Sequence, residues 1–155
     1  VKKGQINVPR RIFNIWIHRE MKVFIAELQH SEMKTRPGRF VPLAAGYLSA
    51  YLCQHLPQVD TKIFTNANAL LDAVDEEKPD VVGFSVRFWS EKLSFFCADY
   101  IKQKFPDTVI VGGGPSIDDI DSEIFRFLQE HNNFDVLLRN ILRGEMCIFN
   151  NLNLK

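Results

Sequence analysis

From Met21 onward the chain alternates between short apolar runs and longer stretches whose apolar residues recur every three or four positions. KVFIAEL (22–28) reads as a buried strand, and QHSEMKTRPGR (29–39) as a loop broken by Pro37 and Gly38. FVPLAAGYLSAYLCQHL (40–56) has helical spacing, and its small residues suit close packing on a sheet. VDTKIF (59–64) predicts a second strand and ANALLDAVDEEK (67–78) a second helix. PDVVGFSV (79–86) predicts a third strand, apolar almost throughout, as expected where both faces are buried. WSEKLSFFCADYIKQKF (89–105) reads as an amphipathic helix with Leu93, Phe96, Cys97, Tyr100 and Ile101 on one face. Ser90 is its expected N-cap and Pro106 its stop. TVIVGG (108–113) follows as a fourth strand, IDSEIFRFLQEH (120–131) as a fourth helix and FDVLLRN (134–140) as a fifth strand. GEMCIFNNL (144–152) reads as the start of a last helix.

Strands alternating with helices predict an α/β domain, a parallel sheet covered on both faces. Right-handed crossovers and five such units favour a doubly wound, flavodoxin-like sheet with strand order 2-1-3-4-5. The domain is expected to span 21–155, preceded by a basic extension at 1–20. That extension carries Lys2, Lys3, Arg10, Arg11 and Arg19 against the single acid Glu20. Its IFNIWI stretch suits a short strand or a helical turn. The extension therefore reads as a docking arm, an extra element packed on the domain, or an artefact of the start site.

Composition narrows the partners. At 155 residues, 46% hydrophobic and 25% charged, the chain is one ordinary globular domain, with disordered and fibrous classes excluded. Basic and acidic residues balance at 19 each, which argues against a dedicated nucleic-acid binder. No apolar run approaches the roughly 18 residues of a transmembrane helix, and residues 1–20 lack the apolar centre of a secretory signal. Cys53, Cys97 and Cys147 are widely spaced, with no C-x-x-C pair, so neither a disulfide framework nor a zinc site is expected. A reduced, cytoplasmic protein with cysteines acting as small hydrophobes is the corresponding reading.

In such a sheet ligands bind beyond the carboxyl ends of the strands, where strand order reverses. The residues expected there are Glu27 and the loop to Arg39, then Ser85, Val86, Arg87, Phe88 and Trp89, then Gly112, Gly113, Gly114 and Pro115. Arg143, Gly144 and Glu145 follow the fifth strand. The run VIVGGGPS (109–116) implies either close approach of a ligand to bare backbone or a tight turn that needs unusual dihedrals. Ser85 suits a ligand hydrogen bond or a cap on its own loop. Phe88 and Trp89 suit a cover over a ligand or a place in the core. His30 is a lone loop histidine, a solvated side chain or a metal ligand. G-x-S-x-G and G-x-x-x-x-G-K-[ST] are absent, and GGGPSI does not match G-x-G-x-x-G. Ser85 also stands where a phosphorylated receiver domain needs an aspartate. No catalytic residue set is evident, so the chain is not expected to be an enzyme by itself.

The stretch KPDVVGFSVRFWSEKLSFFCADYIKQKFPDTVIVGGGPSI resembles the N-terminal cobalamin-binding domain of cobalamin-dependent radical SAM enzymes. So do the helix RFVPLAAGYLSAYL and the RGE at 143–145, a likeness spanning Lys22 to Phe149. The resemblance implies a corrinoid across the carboxyl edge, its nucleotide tail entering between the sheet and a helix. Ser85 corresponds to the family's serine near the tail, and Gly113 with Gly114 to the glycines along which the tail passes. The cofactor would carry methyl-transfer chemistry while the protein binds and orients it. Better known cobalamin domains place D-x-H-x-x-G after the first strand; here His30 has Leu28 and Met33 in the flanking places, so no protein ligand to cobalt is implied. The C-x-x-x-C-x-x-C of an iron–sulfur site is also absent. The iron–sulfur cluster and S-adenosylmethionine are expected only in a C-terminal radical SAM domain of a parent protein, making this chain a truncated or stand-alone module. The alternative reading is a cobalamin-free docking or structural domain of the same type.

Overall fold

The computed structural model describes residues 20–29, 41–117, 121–138 and 148–150. The elements in chain order are β1 (Met21–Ala26), α1 (Leu43–His55), β2 (Val59–Phe64), α2 (Ala67–Glu77), β3 (Val81–Ser85), α3 (Glu91–Lys104), β4 (Val109–Gly113), α4 (Asp121–Glu130), β5 (Val136–Leu138) and β6 (Ile148–Asn150). They form one sheet of order β2-β1-β3-β4-β5-β6. The first five strands are parallel in the order read from the sequence, and β6 runs antiparallel beside β5.

β6 corrects the expectation of a helix over 144–152. Residues 148–150 complete the hydrogen-bonding edge that β5 would otherwise leave open, and an edge strand's unpaired ladder is a strong template for such pairing. The remainder of that stretch lies outside the described residues.

The two faces of the sheet are finished unequally. On one, Phe24, Ala26, Val82, Phe84, Ile110 and Leu137 pack against Leu70 and Val74 of α2, Cys97, Ala98 and Ile101 of α3, and Ile124 and Leu128 of α4. On the other, Val23, Ile25 and Val59 pack against Ala45 and Leu52 of α1, with Met21 and Val81 beside them. Helix α1 lies over β1 and β2. Among the described residues no helix covers the same face of β3, β4 and β5. Residues there alternate strictly, buried on the first face and half-buried on the second. PDVVGFSV is therefore not buried on both faces.

Two local readings shift for the same reason, that packing overrides spacing. Helix α3 buries Ser94, Cys97, Ala98 and Ile101, while Phe96, expected on the core face, is 61% exposed. Helix α1 is apolar almost all round, yet Ala45 is its only fully buried residue, with Leu43, Tyr47, Leu48 and Tyr51 exposed. Helix termini are set locally. The Asn66 side chain accepts a hydrogen bond from the Ala69 amide at 3.1 Å and starts α2, which ends at left-handed Lys78 (φ 49°). Ser90 does stand at the α3 N-cap, but its hydroxyl is directed to the Arg87 carbonyl at 3.5 Å rather than to the helix amides.

Candidate functional site

The parallel register brings the carboxyl ends of β1, β3 and β4 side by side, with strand order reversing between β1 and β3. Ser85 is the register partner of Gly113, and both stand in the half-buried rows of the uncovered face. Among the described residues the Ser85 hydroxyl makes no hydrogen bond.

The three glycines have three different causes. A Cβ on Gly112 would lie 2.7 Å from Leu137 Cδ2 and 2.9 Å from Phe134 Cδ1, so core packing on the closed face excludes it. Gly114 has φ +114°, and a Cβ there would lie 2.8 Å from the Val86 carbonyl oxygen, so the turn itself requires glycine. Gly113 has neither reason. It does not adopt a positive φ, and an added Cβ would meet only Leu138, at an ordinary 3.5 Å.

Loops after β3 and β4 are laced by their backbones. The Val86 amide donates to the Gly113 carbonyl at 2.6 Å, and the Ser116 amide donates to the Val86 carbonyl at 3.2 Å. The Ile117 amide then donates to the Gly114 carbonyl at 3.1 Å. Val86 is buried in the core, so only its backbone faces this junction. Pro115 is exposed next to it.

At the β1–β3 reversal, Arg87 Nη2 donates to Glu27 Oε1 at 2.8 Å, and Glu27 is only 2% exposed. The second carboxylate oxygen lies 3.5 Å from the Ala45 amide in the first turn of α1, where helix polarity favours an anion. A buried carboxylate requires such partners, because removing either leaves an uncompensated charge. Arg87 also stacks near Trp89, its guanidinium carbon 5.3 Å from the ring centroid, while Arg87 Nε is buried without a partner among the described residues. Phe88 is 79% exposed and meets Trp89 edge to face at 4.6 Å. Phe88 is therefore not core, and Trp89 is half-buried.

The structure thus gathers Ser85, Val86, Arg87, Phe88, Trp89, Gly112, Gly113, Gly114 and Pro115 at one edge. Gly144, Arg143, Glu145, Arg39 and His30 lie outside the described residues. Glu27 had no role assigned from sequence; the signal was a carboxylate ending an apolar strand and followed by Leu28, which is itself buried. Among the described residues no group of three or more His, Cys, Asp or Glu is placed to hold a metal ion, and no helix is long and apolar enough to cross a membrane. The remaining polar clusters lie away from this edge. One of them joins Asp75, Tyr100 and Lys104 between α2 and α3, and the hydrogen bond from Lys104 holds the Asp75 carboxyl below its usual range.

No family model matches the chain. It is 29% identical over 103 residues to the cobalamin-dependent radical SAM methyltransferase TokK of Streptomyces tokunonensis. It is 30% identical over 104 residues to 2-(S-pantetheinyl)-carbapenam-3-carboxylate methyltransferase of Streptantibioticus cattleyicolor. These matches cover 63% and 64% of this chain and 15% of each relative, so the chain spans a small fraction of the length of the curated proteins it matches. Among solved structures, the cobalamin-dependent S-adenosylmethionine radical enzyme OxsB aligns with TM-score 0.54 and 20% identity, over 83% of this chain and 17% of that one. A cobalamin-binding protein from Desulfitobacterium hafniense aligns with TM-score 0.52 and 14% identity, over 74% of this chain and 50% of that one. The isolated receiver domain of RcsB from Salmonella enterica aligns equally well, with TM-score 0.53 and 14% identity over 79% of this chain and 78% of that one. The structures establish the flavodoxin-like fold that cobalamin-binding and receiver domains share. The sequence likeness is to the cobalamin-dependent radical SAM proteins, the family that the motifs resemble.

Proposed function

We propose that this chain is a cobalamin-binding module of a radical SAM methyltransferase-type protein. The corrin ring would rest on the carboxyl edge against Phe88, Trp89 and Pro115, and the nucleotide tail would pass between α1 and the uncovered face, along Ser85 and Gly113. Gly113 is the observation that carries the reading. It is a glycine that neither the turn nor the core requires, opposite a serine whose hydroxyl lacks a partner among the described residues, on the face that no described helix covers. A ligand tail explains all three features, whereas a tight turn explains only Gly114. When bound, cobalamin supplies methyl-transfer chemistry; iron–sulfur and S-adenosylmethionine chemistry would belong to a separate radical SAM domain, since this sequence has no C-x-x-x-C-x-x-C.

The chain's own contribution is to bind and orient. Ser85 offers a hydrogen bond to a polar group of the tail, and Val86 holds the junction through backbone alone. Glu27 fixes Arg87, which in turn backs Trp89, so the aromatic rim is braced by a neutralised ion pair rather than by a free charge.

The test is retention of hydroxocobalamin by the purified chain after desalting, read from the visible spectrum. Retained corrinoid absorption is expected, unchanged by His30→Ala. Gly113→Val should abolish retention at a near-parental thermal midpoint, because the valine fills the channel without a backbone penalty. Retention by a well-folded Gly113→Val protein would remove the tail from this path. A parent chain that retains no cobalamin would overturn this reading in favour of the alternative, a cobalamin-free docking or structural domain.

A further inference from the structure

Glu27 is the one charged residue that is fully buried among the described residues. Strand geometry puts it there. Its amide donates to the Phe64 carbonyl at 2.9 Å, which fixes its backbone to the end of β2. The alternation that turns Val23 and Ile25 toward α1 turns Glu27 the same way, two residues beyond.

What its side chain meets is a helix without a cap of its own. Pro42 at the α1 N-cap makes no side-chain hydrogen bond to the first-turn amides, and that turn holds no acidic residue. The Glu27 carboxylate stands at that end instead, Oε2 lying 3.5 Å from the Ala45 amide. Its other oxygen receives Arg87 Nη2, and Arg87 in turn lies over Trp89. One carboxylate thus joins α1 to the aromatic rim.

We propose that Glu27 is a positioning residue that couples α1 to the rim, so that loosening either one loosens the other. The physical reason is that desolvation of the carboxylate is compensated from both sides. Without Arg87 it is a buried charge left with one long amide contact; it turns toward water and leaves the first turn of α1 uncapped. Without the carboxylate, Arg87 loses the acceptor that holds its guanidinium beside Trp89. Coupling of this kind is reciprocal. Apolar residues of similar volume often stabilise a fold as well as a buried ion pair does, so what this pair supplies is placement. On the cobalamin reading α1 borders the tail and Trp89 the ring, so the two halves of the ligand are recognised cooperatively. That consequence rests on the proposed function; the coupling itself does not.

A double-mutant cycle tests it in the full chain carrying Trp16→Phe, where Trp89 is the remaining tryptophan. Hydrogen exchange reads α1, and near-ultraviolet dichroism reads Trp89. Arg87→Met should speed exchange of the α1 amides several-fold, with α2 and α3 unchanged. Glu27→Leu should do the same and also weaken the Trp89 band. In the double variant, whose apolar pair keeps the fold, α1 should exchange no faster than in Glu27→Leu, because Arg87 acts on α1 through Glu27. Parental α1 exchange in a folded Arg87→Met chain overturns the proposal. So does equal acceleration of all three helices, additive acceleration in the double variant, or an unchanged Trp89 band in Glu27→Leu. Should Arg87→Met fail to fold, the double variant decides, and parental α1 exchange there overturns the proposal as well. For the ligand, the parent should retain hydroxocobalamin over cobinamide, which lacks the tail, and the double variant should narrow that ratio. An unchanged ratio overturns the coupling of ring and tail. Retention of neither corrinoid by the parent overturns the cobalamin reading alone, and the exchange rates then decide the coupling.

Discussion

The closed and open faces of this sheet are built from the same kinds of residue and differ in what lies over them. On the closed face three helices bury Phe24, Phe84, Ile110 and Leu137, and even a glycine is dictated by its neighbours, since Gly112 has no room for a methyl group. On the open face one helix covers two strands, and the glycine beside it, Gly113, has room to spare. Adjacent residues of one strand therefore answer to different demands. Glycine on the packed face is fixed by the core, whereas no described neighbour forbids a side chain at Gly113.

The sharpest break of this contrast is a large-to-small change on each side. Phe134→Ala, which empties a fully buried ring site packed by Phe95 and Phe127, should cost about 3–5 kcal/mol in urea unfolding. Val111→Ala on the open face should cost about 1 kcal/mol or less, as for positions outside a packed core. Equal losses would mean that both faces are equally covered in solution.

The glycines sharpen it further at smaller scale. Gly112→Ala should destabilise by about 1–3 kcal/mol through overpacking against Leu137 and Phe134. Gly113→Ala, one residue on, should stay within about 0.5 kcal/mol of the parent. Matching thermal midpoints for the two variants would erase the distinction between the faces.

The cysteines give the mildest test. Cys97 lies buried under α3 on the closed face, and burial pushes its thiol up to about 11, whereas Cys53 on α1 is exposed. In a Cys147→Ser background one thiol should react promptly with an aromatic disulfide at neutral pH, and the second only after unfolding. The raised value also has a sign for stability. The unfolded chain ionises its thiol from about pH 8.5, while the folded chain keeps the proton until about 11. Stability should therefore decline as pH rises through that window, and the decline should be smaller in Cys97→Ala, where the raised Lys62 and Lys104 ammoniums still act at its alkaline end.

Most of the architecture was legible because strand and helix differ in period. Five strands, four helices and the order 2-1-3-4-5 all follow from runs such as KVFIAEL and TVIVGG, whose lengths and flanking turns leave little choice. What failed was whatever depended on partners distant in sequence. Phe96 has the right spacing for the α3 core face, but the helix is rotated so that Ser94 and Ala98 face inward. IFN at 148–150 reads as helical from its sequence pattern and has a strand for a partner in space. At the site, the placement of Ser85 opposite Gly113 follows from the strands alone. The separate causes of the three glycines do not, because Phe134, Leu137 and Val86 set them from other elements. Glu27 with Arg87 escaped for the same reason: 60 positions separate the two ends of that ion pair.

The lacing of the β3 and β4 loops has a mechanical consequence. Two backbone bonds through Val86, to Gly113 and from Ser116, tie the two segments into one lip. Such a lip has few independent torsions to freeze, so a molecule settling on it would lose little of its binding free energy to ordering the protein. Neither can the lip open like a gate, because swinging one loop would break bonds that no side chain can replace.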